Sequence, residues 1–223
     1  MLKHLRLYKK NFPKSQVGIV GPFPTACPEL FMGGDFVLKG EAEGYFQHEF
    51  KSIEDLEGVV NSSQSTDLSL LPHPDLDGFP VETYSYSPAI MERPFYFLWS
   101  SMGCPYICSY YCTYGEFQGP KIRQRPPEKI AGDMITLRDK YGVKAIQFRD
   151  PTFGMKRGII YEICDSLEKE AVNMKWGMET RLDLLDKDKI NRMYEVGLRN
   201  VNVGIETPVE SIATASKRKL IEK

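Results

Sequence analysis

The chain has 223 residues, 42% of them hydrophobic and 26% charged, which is enough apolar mass for one large packed domain or two small ones. Lys and Arg total 29 against 30 Asp and Glu, a net charge of -1, which argues against a basic nucleic-acid-binding surface and against an acidic disordered tail. The most apolar run, Phe95 to Trp99, is too short to span a bilayer, and Met1 to Arg6 lacks the apolar stretch of a signal peptide, so a cytoplasmic protein without a membrane partner is expected. Five cysteines in a reducing compartment predict no disulfides, yet three of the five fall within nine positions.

In chain order, Leu2, Leu5, Tyr8 and Phe12 recur at helical spacing until Pro13. Val17 to Val20 reads as a buried strand closing on Gly21-Pro22. A short helix is predicted around Pro28 to Met32, a second strand over Phe36 to Leu38, and a helical piece containing Phe46 and Phe50. This order gives a parallel α/β region over 1–58. From 59 to 93 the composition changes: a polar run, Asn61 to Thr66, is followed by Pro72, Pro74, Pro80 and Pro88, which reads as a linker with extended segments.

From residue 94 the α/β rhythm returns. Strands are predicted at Phe95 to Trp99, Ala145 to Phe148, Lys175 to Met178, and Val201 to Ile205. Helices between them are marked by Ile130, Met134, Leu137 and Tyr141, by Ile160, Ile163 and Leu167, and by Ile190, Met193 and Tyr194. Thr207-Pro208-Val209-Glu210 has the form of a capping box opening one more helix. Four such units make the start of a parallel barrel or partial barrel.

In that architecture chemistry gathers where strands end and helices begin. The four strand ends supply Cys104, Cys108 and Cys112, then Arg149 and Asp150, then Glu179 and Arg181, then Glu206. Three thiolates on one short loop suit a metal centre. Zinc would need a fourth ligand or an open water position, and the three histidines, His4, His48 and His73, all lie upstream. A cubane iron–sulfur cluster held by three thiolates keeps one iron open for another ligand. Cys27 and Cys164 read as packing residues, Cys164 beside Ile160, Ile163 and Leu167. Asp150 and Glu206 also suit a plainer role, as negative charge complementing the helices that follow them.

Gly103-Cys104-Pro105 through Cys112, Phe148-Arg149-Asp150-Pro151-Thr152-Phe153, Trp176 through Asp183, and Gly197-Leu198 through Thr207 resemble the radical S-adenosylmethionine (SAM) enzymes. The resemblance is to the branch with an N-terminal cobalamin-binding domain, whose last strand is similar to Asp35-Phe36-Val37 through Glu43. It implies a partial parallel (β/α) barrel of the radical SAM type preceded by a partial doubly wound α/β domain. It implies a 4Fe–4S cluster on Cys104, Cys108 and Cys112, SAM bound at the open iron, and reductive cleavage to a 5′-deoxyadenosyl radical. Tyr110 or Tyr111 would lie against the adenine. Glu179 and Arg181 would hold the ribose and carboxylate, with Asp150 and Glu206 lining the same mouth. The family spacing is CxxxCxxC; here three residues also separate Cys108 from Cys112. The Asp-x-His-x-x-Gly cobalamin loop of that branch has no counterpart in the sequence, so weak or no cobalamin binding is expected of this chain, although a full-length form would bind it.

The expected reaction is radical methyl transfer or a related bond formation, such as a cyclisation, on a small-molecule substrate. The electron would come from an external donor of flavodoxin or ferredoxin type. Three rivals remain open at this point: a non-catalytic iron–sulfur carrier or partner protein, an inactive fragment, and a zinc-binding interaction module. The domain reading is a cobalamin-binding-like region over 1–58, a linker over 59–93 and a radical SAM core over 94–223. Two strands before the linker and four βα units after it also predict that the chain is a piece of a longer enzyme.

Overall fold

The structure, a computed structural model, describes residues 2–106, 108 and 112–215. In chain order the elements are α1 (Leu2–Asn11), β1 (Gly18–Ile19), α2 (Pro22–Ala26), β2 (Phe36–Lys39), α3 (Ala42–His48) and β3 (Gly58–Asn61). They continue with β4 (Phe95–Leu98), β5 (Ser101–Met102), α4 (Tyr114–Phe117), β6 (Arg123–Gln124), α5 (Pro127–Tyr141) and β7 (Ala145–Phe148). The last are α6 (Ile159–Lys169), β8 (Lys175–Thr180), α7 (Lys187–Glu195), β9 (Leu198–Val203) and α8 (Glu210–Ala215). The chain divides into two compact units, Met1–Thr66 with Gly103–Lys121, and Asp67–Met102 with Ile122–Lys223.

In the first unit β1, β2 and β3 form a parallel sheet in that order. Period-two alternation along β2 sends Phe36 and Leu38 to one face, where they pack with Tyr45 of α3 and Leu56. It sends Val37 to the other face, with Ile19, Phe31 and Leu5 of α1. Both faces are therefore covered, as a parallel sheet requires. Asp35 ties the entry: its carboxylate accepts from Lys9 Nζ at 2.8 Å and from the Val17 N–H at 2.6 Å. These bonds, led by Lys9, hold its pKa below the ordinary aspartate value. Two details differ from the sequence reading. Residues Pro28–Phe31 form a 3-10 turn, and the α-helix comes earlier, with Pro22 at its first position. A third strand, β3, straddles the boundary placed at residue 58; Val59-Val60 between Gly58 and Asn61 is too short an apolar run for periodicity to register.

In the second unit the order is β4-β7-β8-β9, all parallel. Helices α5, α6 and α7 make the crossovers. The helix α5 starts on Pro127 and ends at Gly142, whose φ of 66° closes the last turn with Gly142 N–H to Arg138 O at 3.1 Å and Val143 N–H to Leu137 O at 3.1 Å. One face of the sheet packs under these helices through Leu98, Ile146, Phe148, Trp176, Met178 and Leu198. Between β4 and α5 lies an antiparallel ribbon, β5 with β6, pairing Ser101 with Gln124 and Met102 with Arg123.

The proline-rich stretch is not merely extended. Leu76 and Val81 enter the core beside α5. Tyr141 donates from its hydroxyl to Asp75 at 2.7 Å and accepts from the Leu76 N–H at 2.9 Å. His73 Nδ1 meets Asp133 at 2.6 Å, and the fully buried Asp133 also pairs with Arg125 at 2.6 Å. Each of these partners is more than 50 positions away or hidden in a helix, so a local reading of the prolines does not see them.

Trp176 is the largest fully buried side chain, packed against Phe148 and Phe153 at ring-centroid distances of 5.7 and 5.8 Å, with its indole N–H donating to Val196 O at 2.9 Å. Trp176→Ala is expected to lower the unfolding free energy by about 3–5 kcal/mol through the cavity it leaves. Denaturant titration followed by circular dichroism checks this; a loss below about 1 kcal/mol would show that the core collapses to fill the space.

Candidate functional site

The cysteine loop belongs to the first unit. Gly103 has φ +89°, and a side chain there would run into the Lys121 carbonyl, so glycine is needed to turn the chain into the loop. The Gly103 N–H donates to Gln118 Oε1 at 3.0 Å and the Cys104 N–H to Gly119 O at 3.0 Å. The start of the loop is thus pinned to its return, while α4 lies against α2. Cys104 is buried, and Cys108 and Cys112 are half-buried. All five cysteines are among the described residues and none is in a disulfide. Among the described residues, no three His, Cys, Asp or Glu side chains are gathered into a group that would hold a metal ion. The donor chemistry nonetheless fits a thiolate-bound centre: three soft ligands on one loop. Tyr110 and Tyr111 lie outside the described residues. Cys164 sits fully buried in α6, and burial pushes its thiol up to about 12, as suits an inert core residue.

In the second unit the chemistry lies on the sheet face that the helices leave bare. Register places side chains there in rows. The lowest row, Phe95 and Ala145, is apolar and covered by Ile90 and Tyr86. The next is Phe97, Gln147, Gly177 and Asn200, in which Asn200 Nδ2 donates to Gln147 Oε1 at 3.1 Å. A side chain at Gly177 would collide with Gln147 Oε1 and stand 3.0 Å from Asn200 Cβ, so glycine lets this pair close across β8. Above them come Arg149, Glu179 and Asn202. Arg149 is ion-paired with Glu179 Oε1 and lies 5.6 Å over the Phe97 ring; Asn202 Nδ2 reaches the same Oε1 at 3.5 Å.

The expected site residues on this unit do not share one environment. Glu179 faces the bare side with Arg149. Arg181 is turned to Asp183, donating from Nε at 2.9 Å and NH2 at 2.7 Å. Glu206 is exposed, three residues past β9, with φ 52°. Asp150 is fully buried; its carboxylate accepts from the Ser100 N–H at 2.7 Å, the Ser101 hydroxyl at 2.9 Å and the Ser100 hydroxyl. It therefore fastens the end of β7 to the chain leaving β4. Gln147, Asn200, Asn202, Tyr86 and Phe97 were missed by the sequence reading. The alternation Phe95/Phe97, Gln147/Arg149, Gly177/Glu179 and Asn200/Asn202 is the signal that would have found four of these five residues, all but Tyr86.

Burial lifts the Asp150 carboxyl to about 6 from the ordinary 3.8, against the lowering effect of its serine hydrogen bonds. The folded state binds this proton more tightly than the unfolded chain does. Its contribution to stability is therefore full below about pH 4 and is lost as pH rises through about 6, a fall of up to about 3 kcal/mol. Asp150→Asn, which cannot ionise, is expected to flatten this component. Denaturant titrations from about pH 4 to about pH 7 check it; parallel profiles for the two proteins would contradict it.

Comparison with known proteins bears on the same residues. The Radical SAM superfamily model matches residues 100–223, which take in the three cysteines, Asp150, Glu179, Arg181 and Glu206. Over 204 residues the chain is 26% identical to an uncharacterized methyltransferase of Pyrococcus horikoshii, covering 84% of this chain and 44% of that protein. Over 195 residues it is 25% identical to an anaerobic magnesium-protoporphyrin IX monomethyl ester cyclase of Synechocystis, covering 79% and 38%. It is similar to a solved radical SAM methyltransferase, TsrM of Kitasatospora setae, with cobalamin and a [4Fe-4S] cluster bound, at a TM-score of 0.49 and 17% identity over 57% of this chain and 26% of that one. The chain spans less than half the length of these curated relatives. With more than half of its residues matched by the family model, and the clustered cysteines inside the match, the chain belongs to the radical SAM superfamily.

Proposed function

We propose that this chain carries the cluster- and SAM-binding part of a radical SAM enzyme that performs methyl transfer or a related radical bond formation on a small molecule. The observation that carries this reading is the cysteine set, Cys104, Cys108 and Cys112, on one loop inside the region matched by the superfamily. These three would hold a 4Fe–4S cluster, which when bound supplies the electron for reductive SAM cleavage. Gly103 and Gln118 hold the Cys104 end of the loop in place, so gathering the donors falls to Cys108 and Cys112.

Glu179 would accept hydrogen bonds from the SAM ribose. Arg149 and Asn202 both contact its Oε1. Arg181, steadied by Asp183, would meet the SAM carboxylate, with Glu206 at the rim and Tyr110 or Tyr111 against the adenine. Asp150 would support the mouth from behind by fixing Ser100 and Ser101 rather than by touching the ligand. The reductant would be a flavodoxin- or ferredoxin-type donor. The two-faced parallel sheet of the N-terminal unit supports a cobalamin-binding-like region over 1–58, followed by 59–93 and a core over 94–223, with cobalamin a cofactor of a full-length form. No helix among the described residues is long and apolar enough to cross a membrane, and a cytoplasmic location is part of the same reading.

Anaerobic reconstitution is expected to give about four irons per chain, as a thiolate-held cubane requires. Cys104→Ala, Cys108→Ala and Cys112→Ala should each abolish it, and Cys27→Ala and Cys164→Ala should not. Iron retained in the triple variant would overturn the cluster assignment. A cluster whose EPR spectrum is indifferent to SAM would favour an electron carrier instead.

A further inference from the structure

The bare face of the larger sheet holds a closed circuit of side chains drawn from β4, β8 and β9, from the residue that follows β7, and from the proline-rich stretch. Tyr86 stacks on Phe95 of β4 with ring centroids 5.0 Å apart and planes 13° from parallel, and meets Phe97 edge-on at 5.7 Å. Its hydroxyl accepts from Asn202 Nδ2 of β9 at 3.2 Å, across 116 positions of sequence. The same Asn202 nitrogen points to Glu179 Oε1 of β8. Glu179 pairs with Arg149 beyond β7, and Arg149 lies over Phe97, which returns the circuit to Tyr86. Strands β4 and β9 are the two edges of this sheet. Three inter-strand gaps part these edges by about 14 Å in a flat sheet, and Tyr86 contacts a side chain from each of them.

The orientation of Asn202 is fixed from three sides. Its Oδ1 accepts from Asn200 Nδ2 at 3.1 Å, so its amide nitrogen is the group left for Tyr86 and Glu179. Asn200 is in turn held by Gln147. The Tyr86 ring, locked by two phenylalanines, has little freedom to carry its hydroxyl away. The contacts of Glu179 with Arg149 and Asn202 both fall on Oε1.

We propose that Tyr86 is a positioning residue for the Glu179 carboxylate, acting through Asn202 on the binding of the SAM ribose. This rests on the reading that Glu179 holds SAM. Tyr86 comes from outside the barrel strands, so the proline-rich stretch contributes to nucleoside binding as well as to packing.

The test is a binding cycle on the full chain, reconstituted anaerobically, with SAM as the probe in isothermal titration calorimetry and thermal melting run in parallel. Tyr86→Phe keeps the stacked ring and removes the hydroxyl. It is expected to raise the SAM Kd about 2- to 10-fold, the range for one hydrogen bond, without lowering the melting temperature. Asn202→Ala, which leaves the ring stack untouched, should give a similar factor that does not multiply with that of Tyr86→Phe. In a Glu179→Gln background the Tyr86→Phe effect should vanish. An unchanged Kd in Tyr86→Phe, or the same factor with and without Glu179, would overturn the positioning role while leaving Glu179 as a SAM residue. A Glu179→Gln chain that binds SAM as tightly as the native one would instead overturn the reading of Glu179 itself, and the positioning role with it.

Discussion

Helices that return on one side of a parallel sheet govern the larger unit. Each step from β4 to β7, β8 and β9 is a parallel crossover, made by α5, α6 and α7. Right-handed crossovers put consecutive helices on the same face. That face is then sealed by Leu98, Ile146, Phe148, Trp176, Met178 and their helical partners. Because side chains alternate, every second residue is released from the demands of the core. Gln147, Arg149, Glu179, Asn200 and Asn202 occupy those positions.

The bare face is graded along the strands. At the strand beginnings Phe95, Ala145, Ile90 and Tyr86 exclude water. One row on, Asn200 Nδ2 donates to Gln147 Oε1. At the strand ends stands the Arg149–Glu179 pair, half-buried and hydrogen-bonded from below. An ion pair in that setting is less screened than one on the surface, yet still reachable by a ligand. The apolar floor thus leaves the charged side chains to the other end of the sheet.

Asp150 shows how a charged residue at such a strand end can be turned into the interior. Its oxygens are taken by Ser100 and Ser101, and the Ser100 carbonyl in turn accepts from Gln124 Nε2 at 2.7 Å and the Arg125 N–H at 2.9 Å. A buried carboxylate with this many donors is a joint: it fixes β4, β5, β6 and β7 relative to one another.

The sequence by itself determined the local facts. The α/β class, the succession of βα units and the closure of α5 at Gly142 follow from periodicity and glycine conformation, which act over a few residues, although β9 runs over Leu198–Val203 instead of the expected Val201 to Ile205. The grouping of Cys104, Cys108 and Cys112, and the core position of Cys164, were legible for the same reason. Tertiary structure alone decided what spans the chain. The third strand β3, the packing of Leu76 and Val81 on α5, and the burial of Asp150 depend on partners brought near by folding. Residue type marked Asp150, Glu179 and Arg181 alike as strand-end charges; only register and burial turned the first to Ser100, the second to Arg149 and the third to Asp183. Tyr86 gave no sign in its own neighbourhood, because its hydrogen-bond partner Asn202 stands 116 positions away and only folding brings the two together.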